Sequence, residues 1–224
     1  DIGSNDGTLL GSYFNRNINF VGMDPTADKF REYYKDDIEI ISDFFSSNLY
    51  LSSGQKKAKI VTSVSMFYDL EDPISFASDI KKILHPEGIW HFEQSYLPFM
   101  LSANSYDTIC HEHLEYYSLS TIMIILDEVG LKPIDVSFND INGGSFAVTA
   151  THQNTSINQK PSVKKALFDE QSLNLNKLEI YRNFSERAYV LKNNLNLLLE
   201  NLVRDGKKVF AYGASTKGNV TLQF

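Results

Sequence analysis

Residues 107–119 read DTICHEHLEYYSL, a run that gathers His111, Glu112 and His113 with Tyr116 and Tyr117 just behind them. Two imidazoles and a carboxylate this close suit metal ligation, proton transfer or a hydrogen-bonded polar loop. The zinc-protease pattern H-E-x-x-H sets two histidines on one helix face, and HEHLE does not match it. An H-x-H pair on a strand needs a third or fourth ligand to hold a metal, yet His85, His91 and His152 are scattered along the chain. Residues 1–224 are therefore expected to bind no stoichiometric metal. Proton transfer remains open. Neutral histidine is the usual base near pH 7, a neighbouring carboxylate fixes its tautomer, and tyrosines hold or polarise a substrate oxygen. A polar loop without chemistry also remains open.

The second stretch with chemical content is DIGSNDGTLL at the start. Gly3 and Gly7 let the backbone turn tightly and approach a ligand with no Cβ in the way. The helix that follows offers free N–H groups. The next strand ends VGMD, and Asp24 stands 23 residues after Asp1, where nucleotide-binding sheets carry an acid for ribose hydroxyls. The glycines are spaced G-x-x-x-G, not the G-x-G-x-x-G of dinucleotide sites. Asn5 and Asp6 in that loop suit a ligand without a pyrophosphate. Asp6 repels phosphate and tolerates the cationic amino-acid end of S-adenosylmethionine. Asp1, Gly3, Asn5, Gly7 and Asp24, with Ser63 on a later strand, are the candidate cofactor contacts. Asp43 and Phe44, in DFF, are placed to flank an adenine, with a core aromatic as the alternative. A tight βα turn without ligand is the competing reading of the glycines.

These residues need a scaffold. Apolar runs at 19–24, 38–45, 58–66 and 88–95 read as strands, and GTLLGSYFN, DPISFASDIKKILHPEG and STIMIILDEVG read as helices, the last with Ser120 as N-cap and Gly130 as stop. The alternation implies an α/β, Rossmann-like sheet, largely parallel. KPIDVSFND and GSFAVTATH are joined only by INGG, too short for a parallel crossover, so they form an antiparallel hairpin. A doubly wound sheet ending in a hairpin is the class I methyltransferase arrangement. That ending and the glycine spacing disfavour an NAD-linked oxidoreductase. The HEH stretch follows the strand GIWHFEQS, so it lies outside the carboxyl ends of the strands, where such sheets bind ligands. QNTSINQKP marks a linker, and Leu191, Leu195, Leu198 and Leu202 form one apolar helix face. DGKKVFAYGASTKGNVTLQF then restarts a strand, glycine loop and helix. Ser215 and Lys217 in that loop suit a phosphate. The expected units are 1–152, a cofactor-binding domain with a truncated first strand; 153–203, linker and long helix; and 204–224, the start of a second Rossmann-like domain. Both ends look cut from a longer polypeptide.

The 224 residues carry a net charge of -7, with 42% hydrophobic and 22% charged residues. That balance fits a soluble globular protein and argues against nucleic-acid and anionic-membrane partners. Cys110 is the only cysteine, which fits a reducing compartment such as the cytoplasm.

Taken together, DIGSNDGTLL, GMDP, CHEHLEYYSL, NGGSFAV and YGASTKG resemble the sugar C-methyltransferases of deoxysugar biosynthesis, in that family's order over nearly the whole chain. The resemblance implies S-adenosylmethionine as cofactor and a nucleotide-linked keto-sugar as substrate, deprotonated and methylated at the carbon beside the carbonyl. It implies His113 as the base and Glu112 as its partner. Tyr116 and Tyr68 complete the candidate catalytic group. His111, Tyr117, Asn142, Gly144, Ser215 and Lys217 are the candidate substrate contacts. Two regions depart from the family: Cys110 stands where a tyrosine is usual, and SMFYDLEDP, with Tyr68 and Asp69, stands where a histidine is common. O- or N-methylation of another small molecule and a catalytically silent binding domain are the alternative readings.

Overall fold

A computed structural model describes residues 1–15, 17–213 and 215–224. Strands β1 (Phe20–Met23) and β2 (Ile38–Ile41) pair in parallel, as do β3 (Ala58–Val64) and β4 (Leu84–Ser95). β5 (Leu131–Asn139) and β6 (Ser145–His152) form the hairpin, and β6 runs antiparallel to both β4 and β5. Ile2 bridges Met23 on one side and Ser63 on the other, and with the backbones of Asp1 and Gly3 it joins the two halves into one sheet. The sheet is thus largely parallel with β6 as its one antiparallel strand among the described residues: the short INGG connection forces β6 to run back along β5, and β6 then docks beside β4.

The helices are α1 (Thr8–Gly11), α2 (Ser47–Ser52), α3 (Pro73–Ile83), α4 (Leu97–Ala103), α5 (Leu119–Glu128), α6 (Pro161–Leu173), α7 (Leu178–Arg204) and α8 (Thr216–Gln223). α1 is a single turn, shorter than GTLLGSYFN promised, because Gly11 and Ser12 are weak helix formers. α3 starts as its sequence demands, with the Asp72 carboxylate accepting from Ser75 N and Pro73 in the first turn. It stops at Ile83 and feeds directly into β4, which already includes His85–Glu87. α5 is capped by Ser118, whose hydroxyl accepts from Thr121 N, and not by Ser120. The cause is tertiary. Glu170 of α6 is buried and accepts from Leu119 N and Ser120 N, so it fixes where the helix begins. Residues 207–213 are not a strand; α8 forms as expected, but the strand before it does not.

The core is built on aromatic rings between the sheet and α3 and α5. Phe67 sits at its centre, with ring centroids 5.8 Å from Phe76, 5.6 Å from Trp90 and Phe92, and 5.3 Å from Tyr117. β4 alternates, burying Trp90, Phe92 and Gln94 on this face. A cavity of about 520 Å³, lined by Tyr13, Phe20, Tyr50, Ile60 and Ile83, opens between β1 and β3 at their amino ends. It lies at the opposite end of the strands from the glycine loop and HEH. The apolar face of α7 stays exposed at Leu191, Leu195 and Leu198. No helix among the described residues is long and apolar enough to cross a membrane.

Candidate functional site

The glycine loop is a built structure. Gly3 and Gly7 hold φ of 72° and 74°, and a Cβ on Gly7 would come within 2.6 Å of the Tyr34 ring. Only glycine meets both demands. Asn5 also sits at positive φ, 47°, a conformation asparagine tolerates. The Asp24 carboxylate, buried at the end of β1, accepts from Asn5 N at 3.1 Å through one oxygen. Its other oxygen accepts from Thr26 N and Thr26 Oγ1. Ser4 and Tyr34 share a 2.8 Å hydrogen bond, and Tyr34 also donates to the Asn5 carbonyl. Asp24 therefore staples the loop to the next strand. A carboxylate has about four lone-pair sites, so capacity remains for a ligand hydroxyl.

Phe44 is 76% exposed beside the same strand ends, while its neighbour Phe45 packs edge-on against Phe76. The core-aromatic alternative thus belongs to Phe45, and Phe44 is free to stack on a planar ligand. Asp43 accepts from Phe44 N at 2.7 Å and is exposed. One cofactor expectation, Ser63, needs correction, and Asp1 has a structural tie beside any ligand role. Ser63 is fully buried, and its hydroxyl accepts from the Trp90 indole, because its place on β3 points it into the core. The Asp1 carboxylate faces β3, accepting from Thr62 Oγ1 at 2.6 Å, and the Asp1 amine donates to the Val21 carbonyl. Asp1 is a tie between strands.

The HEH loop hangs on the turn after β3. The Tyr68 carbonyl accepts from Leu114 N at 3.0 Å and Glu115 N at 3.1 Å. The buried Tyr68 ring lies 4.4 Å, centroid to centroid, from the half-buried His113 ring. Tyr116 lies 6.5 Å from His113 by the same measure and donates to the Thr108 carbonyl. Burial pushes the Tyr68 hydroxyl up in pKa, with Asp69 adding to it, and burial does the same to Tyr116. Both phenols are therefore neutral donors at neutral pH.

Glu112 does not face His113. Its carboxylate lies 4.0 Å from His111 Nε2 and accepts from Thr216 Oγ1 at 3.2 Å. His111 is largely exposed. Tyr117 is 3% exposed and packs on Phe67, so it is core and not a substrate contact. Its hydroxyl is pushed up by burial first and Glu115 second. Gly144 is also buried: a Cβ there would fall 2.5 Å from Phe99, so this glycine serves packing at φ 119°. Asn142 is exposed, and its carbonyl accepts from Lys217 Nζ at 3.4 Å. Ser215 caps α8 by accepting from Gly218 N. The second glycine loop thus meets both the HEH loop and the hairpin turn.

Sequence reasoning gave two residues here no role of their own. Thr216 is the side chain that reaches Glu112. Asp69 follows Tyr68 directly, at the carboxyl end of β3, and its electrostatic neighbours are His113 and Glu112. An acid just past a strand's carboxyl end was the available signal. Among the described residues, no three His, Cys, Asp or Glu side chains cluster as metal ligands.

The glycine cradle, the stapled acid and the exposed aromatic fit a nucleoside carrying a cationic amino acid. Gly3, Asn5 and Gly7 would hold the amino-acid end, Asp24 the ribose and Phe44 the adenine.

Comparison with known proteins bears on the family and the cofactor. A family model described as a methyltransferase domain matches residues 1–136, and one described as a C-methyltransferase C-terminal domain matches residues 140–224. The C-methyltransferase NovU of Streptomyces niveus is 29% identical over 224 residues, which cover 99% of this chain and 53% of NovU. The chain thus spans about half the length of that relative. Among solved structures, the mitomycin 7-O-methyltransferase MmcR superposes with a TM-score of 0.56 at 15% identity, over 68% of this chain and 48% of MmcR. LepI in complex with S-adenosylmethionine gives 0.55 at 14%, over 68% of this chain and 42% of LepI. A Bacillus halodurans methyltransferase structure gives 0.52 at 11%, over 69% of this chain and 91% of its own. With well over half its residues inside the methyltransferase-domain match, the chain belongs to the methyltransferases that use S-adenosylmethionine.

Proposed function

We propose that the chain takes part in C-methylation of a nucleotide-linked keto-sugar, at the carbon beside the carbonyl, with His113 as the base. In this reading residues 1–152 hold the cofactor, 153–203 form linker and long helix, and 204–224 begin the unit that holds the nucleotide. The observation that carries it is the meeting of two loops. Thr216 and Lys217 of the second glycine loop contact Glu112 and Asn142, beside the histidine that faces Tyr68. A cationic side chain and a helix start thereby stand next to a proton acceptor, as a substrate with a diphosphate at one end and an acidified C–H at the other requires. The similarity of residues 140–224 to a C-methyltransferase domain supports transfer to carbon over oxygen or nitrogen.

His113 accepts the proton, and the electron pair left on carbon delocalises onto the carbonyl oxygen. His111 and Tyr116, the latter turned from Thr108, are the donors within the loop for that oxygen. Lys217 and Ser215 hold phosphate. S-adenosylmethionine, when bound, supplies an electrophilic methyl group. His113→Asn should lower turnover by about 10²–10⁴, the usual range for a lost general base, and leave S-adenosylhomocysteine affinity unchanged. Mass spectrometry and NMR of products from a panel of nucleotide keto-sugars provide the check. A new methyl on oxygen or nitrogen, or a His113→Asn variant with parental rate, would defeat the reading.

A further inference from the structure

Helix α8 touches the segment that carries HEH at both of its ends. At its far end the Phe224 ring lies 5.2 Å, centroid to centroid, from Tyr106, in the single turn Tyr106–Thr108 that leads into the loop. The same ring lies 5.3 Å from Tyr189 of α7, and Lys192 Nζ stands 4.7 Å from its centroid. At its near end Thr216 Oγ1 donates to the Glu112 carboxylate at 3.2 Å, and Lys217 Nζ donates to the Asn142 carbonyl at 3.4 Å. The far end is therefore packed among aromatic rings, whereas the near end is held by exposed polar contacts. An exposed hydrogen bond exchanges readily with water. The Glu112 side chain is 56% exposed, so it can leave Thr216 without disturbing the core.

The residues that fasten Glu112 adjoin those assigned to phosphate. Ser215 caps α8 by accepting from Gly218 N, and the Lys217 ammonium and the first-turn N–H groups are the donors such a helix start offers an anion. A phosphate there pairs its charge with that of Lys217, whose bond to Asn142 joins one charge to a neutral carbonyl. It also sets negative charge one residue from the hydroxyl that holds the Glu112 carboxylate, and like charges at that range repel. Both effects act in the same direction. We propose that Thr216 and Glu112 form a latch between the two loops: a diphosphate that settles on Ser215–Lys217 breaks their hydrogen bond and releases Glu112 and the HEH loop. The proposal rests on the reading of the second glycine loop as the phosphate holder. It makes the nucleotide end of the substrate a signal to the reacting end, since the loop that carries the base becomes free to settle around the sugar once the nucleotide has docked.

Cys110 supplies the readout. It is the only cysteine of the chain and stands half-buried directly before His111, so its rate of alkylation by iodoacetamide reports release of the loop. The full chain is compared in three forms: parent, Thr216→Val and Thr216→Ser. In the parent, saturating inorganic pyrophosphate, set against sodium chloride of equal ionic strength, should speed alkylation at least about threefold. Thr216→Val keeps the shape and lacks the hydroxyl. It should react at least about threefold faster than the parent without pyrophosphate, and respond to pyrophosphate by less than about 1.5-fold. Thr216→Ser restores the donor and should behave as the parent. S-adenosylhomocysteine affinity equal in all three forms reports an intact fold. Pyrophosphate that binds, as read by calorimetry, yet leaves the parent rate unchanged overturns the latch and spares the phosphate reading. A Thr216→Val rate equal to the parent's without pyrophosphate, or a Thr216→Ser variant that behaves as Thr216→Val, also overturns the latch. Pyrophosphate that does not bind overturns the phosphate reading, and the latch falls with it.

Discussion

The chain carries two glycine loops, each followed by a helix, and they are built differently. At Gly3–Gly7 every turn is enforced from outside. The Tyr34 ring fills the space a Cβ would need, and the buried Asp24 staples the loop to β1. The second loop is open at Gly213. A Cβ on Gly213 would meet open space, Phe210 and Tyr212 are exposed, and no strand precedes the loop. Among the described residues, exposed hydrogen bonds run from Thr216 to Glu112 and from Lys217 to Asn142. A preformed cradle suits a ligand held throughout catalysis. A loop held by a few exposed hydrogen bonds suits a group that arrives with a substrate.

The largest expected effect tests the enclosure. Gly7→Ala places a methyl against Tyr34 at a φ that L-residues avoid, and should cost about 3 kcal/mol of stability. Gly213→Ala carries backbone strain alone and should cost about 1 kcal/mol. Urea denaturation of both variants would measure the gap, and equal losses would erase the distinction. Next comes the staple. Asp24→Ala should weaken S-adenosylhomocysteine binding by about 1–3 kcal/mol, the scale for hydrogen bonds to a charged group, as read by calorimetry. NAD binding tighter than S-adenosylhomocysteine would contradict the cofactor assignment of this loop. The smallest effect belongs to the open loop. Lys217→Ala should raise the nucleotide-sugar KM about two- to fivefold, since an exposed charge is worth little, and the difference should shrink in high salt. If Lys217→Ala weakens S-adenosylhomocysteine instead, both loops serve one ligand and the comparison fails.

Much of the scaffold was legible because its causes are local. A short apolar run bounded by Gly or Asp makes a strand, Asp72 before Pro73 starts α3, and INGG admits nothing but a hairpin. The Gly3, Gly7 and Asp24 spacing marked a tight loop and the acid that staples it, since the conformations and the acid are coded within one βα unit. The HEH loop was legible as a location and much less so as a set of contacts. Glu112 turned from His113 toward Thr216, a residue 104 positions away. Tyr117 and Tyr116 are neighbours of the same type, yet one packs on Phe67 and the other reaches Thr108.

The sequence by itself determined the order of elements, the hairpin and the strained glycine turn, because backbone preference and connection length act over a few residues. Only the tertiary structure decided which way each polar side chain faces. Glu170 sets the start of α5 from more than 50 residues away, Trp90 draws the Ser63 hydroxyl inward, and the Tyr68 turn brings its ring against His113. A buried polar group must find its partner wherever the fold supplies one, and that partner has no fixed distance along the chain.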